Sequence, residues 1–254
     1  MKVIILAGGL GTRLSEETQI KPKPMIEIGG YPILWHIMNH YSKFGYIDFV
    51  ILLGYKGYVI KEYFVNYFLH NSDFTVDLGN NNVEIINKQN LNWKVTLVDT
   101  GINSMTGARV KKVEHLIGKE TFMLTYGDGL IDLNINELIK FHKSHEGTVT
   151  MTSAQPDGRF GALEISGNKV VSFKEKPKGD GSWINAGYFI CNKDLFKYIK
   201  SGDDVILEQE PLKLLAKDNQ LFTYKHDGFW MPMDTLRDKI KLEKIWKENN
   251  APWK

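Results

Sequence analysis

The sequence predicts an α/β fold: a mostly parallel sheet covered by helices on both faces, with a smaller mixed β extension in its second half. Three observations predict it. Lys2–Ala7 is a continuous apolar run, as expected of a strand buried on both faces. Further runs of strand length alternate with longer segments whose apolar residues recur at helical spacing. After residue 148 the runs shorten and crowd together between Gly, Asn and Pro, which reads as mixed or antiparallel pairing.

The elements follow in order. Pro32 suits the first turn of a helix reaching about Phe44, with Ile33, Leu34, Ile37 and Met38 on its apolar face. Phe49–Leu53 reads as the next buried strand and Lys56–Leu69 as a helix. Lys94–Val98 and Thr121–Thr125 are strands, with a helix between them at about Met105–Leu116 and another at Asn136–His145. Thr148–Ala154, Ala162–Ile165, Val170–Lys174 and Ile184–Ile190 are the short strands of the extension. Helices near Asp194–Ile199 and Leu207–Ala216 precede a strand at Leu221–Lys225. The last helix starts near Thr235 and carries Leu236, Ile240, Leu242, Ile245 and Trp246. Gly79–Asn92 has the weakest pattern and reads as a surface excursion. With no linker, repeat or low-complexity tract, residues 1–254 form one Rossmann-like domain.

Composition narrows the functional classes. Apolar residues make up 43% and charged residues 24%, the balance of a soluble globular chain rather than a disordered one. Thirty-two basic against 30 acidic residues leave a net charge of +2, with no electrostatic footprint for nucleic acid. The N-terminal apolar run is too short for a signal peptide or membrane span, so a cytoplasmic protein without membrane partners is expected. A single cysteine, Cys191, excludes an internal disulfide or a Cys-rich zinc site and reads as part of a buried strand.

The chemistry starts after the first strand. Leu6-Ala7-Gly8-Gly9-Leu10-Gly11-Thr12-Arg13 places glycines at a strand's carboxyl end, where backbone N–H groups can converge on phosphate. Arg13 can grip a phosphate with two hydrogen bonds. The loop lacks the third glycine of a dinucleotide fingerprint and the Lys-Ser/Thr of a P-loop, and a plain structural turn is its bland reading. Lys21-Pro22-Lys23-Pro24-Met25 favours a phosphate site, because the prolines present Lys23 from a fixed loop. His36 with His40 and His142 with His145 have helical spacing but lack the Glu of a zinc motif.

Taken together, the glycine loop, Lys21–Met25, Thr125-Tyr126-Gly127-Asp128-Gly129, Phe173-Lys174-Glu175-Lys176-Pro177, Ile184–Phe189 and Met233-Asp234-Thr235 resemble the sugar-1-phosphate nucleotidyltransferases, in the family's order. Gly54-Tyr55-Lys56-Gly57-Tyr58, Asp99-Thr100-Gly101, Ser104-Met105-Thr106-Gly107, Phe229–Thr235 and Ala251–Lys254 resemble the members that use CTP and glucose 1-phosphate. UTP or dTTP is the alternative donor, because spacing does not assign the base. A non-catalytic nucleotide-sugar-binding relative is the third reading, and the presence of Arg13, Lys23, Asp128 and Asp234 argues against it.

The resemblance implies the remaining roles. Arg13 and Lys23 carry the charge work of catalysis. The nucleotide lies against Leu6–Thr12, Ser104, Arg109 and Gly127, with Arg109 serving its own or a neighbouring subunit's site. A solvated helix charge is the alternative for Arg109. Asp128 and Asp234 share one Mg²⁺, and helix capping is the alternative for each, Asp234 above all. Glu175 meets sugar hydroxyls, Lys176 meets the sugar phosphate, and Asn185 and Gly187 line the same pocket. Lys178 and Trp230 are weaker sugar-site candidates. A homo-oligomer is implied, a hexamer among its forms, and CDP-glucose for surface-polysaccharide synthesis as product. The acceptor phosphate is already anionic near neutral pH, with a second pKa of about 6, so no Ser, Cys or His nucleophile is required.

Overall fold

The computed structural model describes residues 1–86, 91–158, 161–175 and 178–254. Seven strands form the central sheet: β1 (Val3–Leu6), β2 (Asp48–Leu53), β3 (Lys94–Asp99), β4 (Phe122–Tyr126), β5 (Val149–Ala154), β6 (Ile184–Cys191) and β7 (Leu221–His226). Their order across the sheet is β7-β5-β6-β4-β1-β2-β3. All run in one direction except β6, which lies antiparallel between β4 and β5. The mostly parallel sheet expected from the sequence is therefore present.

One expectation needs correcting. Thr148–Ala154 and Ile184–Ile190 belong to the central sheet rather than to an extension, and Leu221–Lys225 joins them there. Of the short strands, only Ala162–Ser166 and Lys169–Lys174 stand apart, as a separate antiparallel hairpin. The reversed β6 supplies the mixed character, and strand direction is set by pairing partners far away in the chain.

The apolar run of β1 splits by strand periodicity. Val3 and Ile5 face one core layer and Ile4 the other, and all three are fully buried. The first layer is covered by the helix Ile33–Lys43, through Ile33, Leu34, Ile37 and Met38. Pro32 precedes that helix, and Gly45, at φ 83°, turns the chain away after it. The opposite layer packs Phe122, Leu124 and Val149 against Phe196, Leu207 and Leu215. Burying each such side chain contributes roughly 1.5–3 kcal/mol. The two long helices expected at Lys56–Leu69 and Met105–Leu116 each divide, at Asn66 and Val113, where the backbone opens to ψ near 10°.

Three short antiparallel pairs escape the sequence reading: Glu27–Ile28 with Tyr31–Pro32, Gly129–Ile131 with Trp230–Pro232, and Phe74–Asp77 with Asn82–Ile85. The last occupies the start of the Gly79–Asn92 excursion and is turned by Asp77, whose carboxylate accepts from Gly79 N and Asn80 N at 2.9 and 3.1 Å. Residues 87–90 lie outside the described ones.

The histidines of the first pair are structural. His36 Nε2 donates to Ile28 O and His40 Nε2 to Leu133 O, both at 2.8 Å. Burial holds the His40 pKa down at about 4, against an ordinary 6.5. Between those values the unfolded chain binds a proton that the folded chain refuses. Stability is therefore complete above pH 6.5 and falls as pH drops towards 4, by up to about 3 kcal/mol from this residue. Urea titrations at pH 7 and 4.5 check this: His40→Phe should lose less stability than the parent over that interval. His142 and His145 both bond Thr150 Oγ1 at 2.8 Å. Cys191 is fully buried, and burial pushes its thiol pKa well up.

Candidate active site

The site lies where an open α/β sheet binds ligands, at the carboxyl ends of β1 and β4. A cavity of about 490 Å³ opens there. Leu6, Ala7, Gly8, Gly9, Gly11 and Thr12 line it from the loop after β1. Lys23, Ser104, Arg109, Asp128 and Asp234 line it from four other segments. The structure thus brings together most of the residues singled out from sequence. Leu10 is half exposed and turned out of the cavity. Gly127 sits beneath it, where a Cβ would meet Leu6 O at 2.7 Å. Arg13 is described by its backbone alone, in the turn Thr12–Leu14, and Lys176 lies outside the described residues.

Lys23 is the centre of charge. Pro22 and Pro24 hold it in a single 3₁₀ turn, with Met25 N bonded to Pro22 O at 2.8 Å. Its side chain is nearly buried, and Nζ bridges Asp128 Oδ2 at 2.6 Å and Asp234 Oδ1 at 2.7 Å. Burial alone would lower its pKa. The attraction of Asp128 and hydrogen bonds to both carboxylates outweigh that and raise it.

The two aspartates are 106 positions apart and are joined by a three-residue ribbon. Gly129–Ile131 pairs with Trp230–Pro232, and Met233 N donates to Asp128 O at 2.8 Å. Asp234 is not the cap of the final helix Leu236–Lys247. Thr235 takes that position in a capping box, and the Asp238 carboxylate accepts from Asp234 N and Thr235 N. The Asp234 carboxylate is left to face Lys23. Two carboxylates converging on one cation, beside a loop able to hold phosphates, form a donor set that fits a hard divalent ion completed by phosphate and water oxygens.

Arg109 lines the cavity, and the alternative reading of it as a solvated helix charge is overturned. It is only 4% exposed, so it is not a solvated charge. Its guanidinium donates to protein oxygens: Leu53 O, Gly101 O and Thr100 Oγ1 from Nη1 at 2.6–2.8 Å, and Gly8 O at 3.0 Å from Nη2. It clamps the loops after β1, β2 and β3 together under the cavity. A Cβ on Gly8 would come within 2.4 Å of it, and one on Gly54 within 2.5 Å. In contrast, a Cβ on Gly9 would meet no protein atom within 4 Å, so this backbone faces open cavity.

Sequence reasoning missed Tyr126 and Glu208, which also line the cavity, beside Thr106 of the Ser104–Arg109 stretch that the resemblance assigns to the nucleotide. The Glu208 carboxylate accepts from Thr106 Oγ1 at 2.6 Å and from the Tyr126 hydroxyl in a very short contact. Asn185 lies behind this wall and donates to the Tyr126 oxygen at 3.0 Å. Gly187, at φ 81°, packs on the Tyr126 ring, where a Cβ would lie 2.4 Å away. Neither touches the cavity directly, and Glu175 is an exposed residue outside its lining. Trp230 is a brace, donating from Nε1 to Ala186 O at 2.8 Å. Lys178 is exposed in a 3₁₀ turn.

The nucleotidyl transferase family profile matches residues 2–244. The glucose-1-phosphate cytidylyltransferase of Salmonella typhi is 57% identical over 255 residues, covering 100% of this chain and 99% of its own. The enzyme of that name from Salmonella typhimurium matches to the same extent. Among solved structures, HddC from Yersinia pseudotuberculosis superposes with a TM-score of 0.69 at 24% identity, over 96% of this chain and 99% of its own.

Proposed function

From the premise that this chain belongs to the nucleotidyl transferase family, we propose that its cavity performs cytidylyl transfer from CTP to glucose 1-phosphate, giving CDP-glucose and pyrophosphate. The observation that carries the site assignment is the convergence of Lys23, Asp128 and Asp234 beside the glycine loop. The full-length likeness to the two Salmonella enzymes supports cytidine and glucose over other donors and acceptors.

The chain's own residues account for the reaction. The backbone of Gly8–Gly11 and the Lys23 ammonium bind the triphosphate, and Arg109 holds that loop in shape. Ser104, Met105 and Thr106 line the same cavity and are assigned to the nucleoside. Arg13 and Lys176 complete the charge complement on the two phosphates in this proposal. Glu175 is assigned to sugar hydroxyls. A phosphate oxygen of glucose 1-phosphate attacks the α-phosphorus in line, one P–O bond forms, the α–β bridging bond breaks and pyrophosphate leaves. No proton has to be removed from the attacking oxygen. Asp128 and Asp234 would hold a divalent cation, Mg²⁺ by the hardness of the donors, and its chemistry is charge neutralisation on the phosphates. Before substrate binds, Lys23 satisfies the same two carboxylates.

Self-association is part of the proposal, with a hexamer among the forms. The hairpin Phe74–Asp77/Asn82–Ile85 supports it by exposing Phe74, Val76 and Val83, with Leu78 at its turn. Light scattering after size-exclusion chromatography measures the state. Among the described residues no helix is long and apolar enough to cross a membrane. A cytoplasmic location, where nucleoside triphosphates are available, is the accompanying proposal.

Pyrophosphate release with CTP, UTP, dTTP, GTP and ATP, each with glucose 1-phosphate and Mg²⁺, tests the reaction. CTP should exceed the others by about 100-fold or more in kcat/KM. Equal turnover of UTP would overturn the cytidine assignment.

A further inference from the structure

Among the described residues three carboxylates line the cavity, and one of them is in no ion pair. Asp128 and Asp234 share the Lys23 ammonium, whereas Glu208 takes part in no ion pair among the described residues. An unneutralised carboxylate is unfavourable beside a polyanion, so it belongs against an uncharged part of the substrates.

The hydrogen bonds around Glu208 fix what it presents. Thr106 Oγ1 accepts from Leu207 N at 2.9 Å, which leaves its proton for Glu208. The Tyr126 oxygen accepts from Asn185 Nδ2, which leaves its proton for Glu208 as well. Both protons point at the carboxylate, and the carboxylate has four lone-pair sites for two donors. Glu208 and Tyr126 together present acceptors only. Their position beside the phosphates follows from the chain, because Tyr126 ends β4 two residues before Asp128. The sugars flank the reacting phosphates there, and the base lies further away.

We propose that Glu208 is a substrate-reading residue whose spare lone pairs accept from a sugar hydroxyl, with Tyr126 and Thr106 locking its orientation. This rests on the cytidylyl-transfer reading. The chemistry is shared by the ribose of the nucleotide and the hexose of the acceptor. Neutral neighbours could not supply the charge-assisted bond that a carboxylate makes to a hydroxyl.

The test is a substrate-by-variant comparison of kcat/KM. Wild type and Glu208→Gln are assayed with CTP against 2′-deoxy-CTP and 3′-deoxy-CTP, and with glucose 1-phosphate against its 2-, 3- and 4-deoxy analogues. Pyrophosphate release by wild type from CTP and glucose 1-phosphate is measured first, and its failure would strike the reaction itself rather than the role of Glu208. Wild type should lose about 10- to 100-fold on one analogue. Glu208→Gln should lose the same factor on the parent substrate and nothing further on that analogue. A nucleotide analogue would identify the ribose and an acceptor analogue the hexose. A merely structural role would lower parent and analogue equally, and that outcome overturns the proposal. So does a loss confined to CTP relative to UTP, which would place the base amino group there. Tyr126→Phe keeps the carboxylate but frees one of its oxygens, so it should weaken discrimination against the same analogue only. If Glu208→Gln does not fold, unchanged discrimination in Tyr126→Phe is the contradicting result.

Discussion

Lys23→Met should lower kcat/KM by about 10³-fold, the scale of removing a fixed charge from a phosphoryl-type transition state. A second consequence separates this from a local packing defect. In the parent, the ammonium neutralises Asp128 and Asp234 at 2.6 and 2.7 Å. Without it, two partly buried carboxylates face one another. Breaking such a pair costs roughly 2 kcal/mol at this degree of exposure, or about 4–8 °C in Tm for a chain of this length. Added Mg²⁺ should restore Tm in the variant more than it raises Tm in the parent. Thermal melts in EDTA and in Mg²⁺ measure both. Equal responses to the metal would mean that Lys23 and the cation do not share the two aspartates.

Arg109→Lys should be nearly as damaging, although it keeps the charge. An ammonium cannot reproduce the fork that reaches Leu53 O, Gly101 O, Thr100 Oγ1 and Gly8 O. Each buried carbonyl left unpaired costs about 1–3 kcal/mol. A total near 3 kcal/mol lowers Tm by roughly 10 °C. The loop after β1 loses its anchor at Gly8, so KM for CTP should rise about tenfold or more while kcat changes less. Melting curves and steady-state kinetics check the two parts together. A fall in kcat alone, with KM and Tm unchanged, would make Arg109 a direct participant in the chemistry instead of a clamp.

The parts of this site that were legible in the sequence are those whose signal is local. The glycine loop and the proline-flanked Lys23 carry their meaning within a few residues, and the structure places both on one cavity. Asp128 and Asp234 could be paired only through the family resemblance, because a three-residue ribbon joins them. Strands that short have no periodicity to read. Arg109 stands beside Lys111 and Lys112 on a short helix, where nothing local distinguishes a buried clamp from a solvated charge. Glu208 lies in Leu207-Glu208-Gln209-Glu210, a stretch that reads as the surface of a helix. Its partners Thr106 and Tyr126 are 102 and 82 positions away. The direction of β6 was hidden for the same reason, since pairing across the sheet is a long-range property.

In the proposed reaction charge and positioning suffice, with the acceptor phosphate attacking directly. The histidines described above are tied to backbone or hydroxyl groups, and Cys191 is fully buried, so no protein nucleophile is invoked. The most direct measurement is the stereochemical course at the α-phosphorus, using CTPαS of one configuration with glucose 1-phosphate. A single in-line displacement predicts inversion in the CDP-glucose analogue. Retention would require two displacements through a covalent enzyme intermediate and would contradict the account.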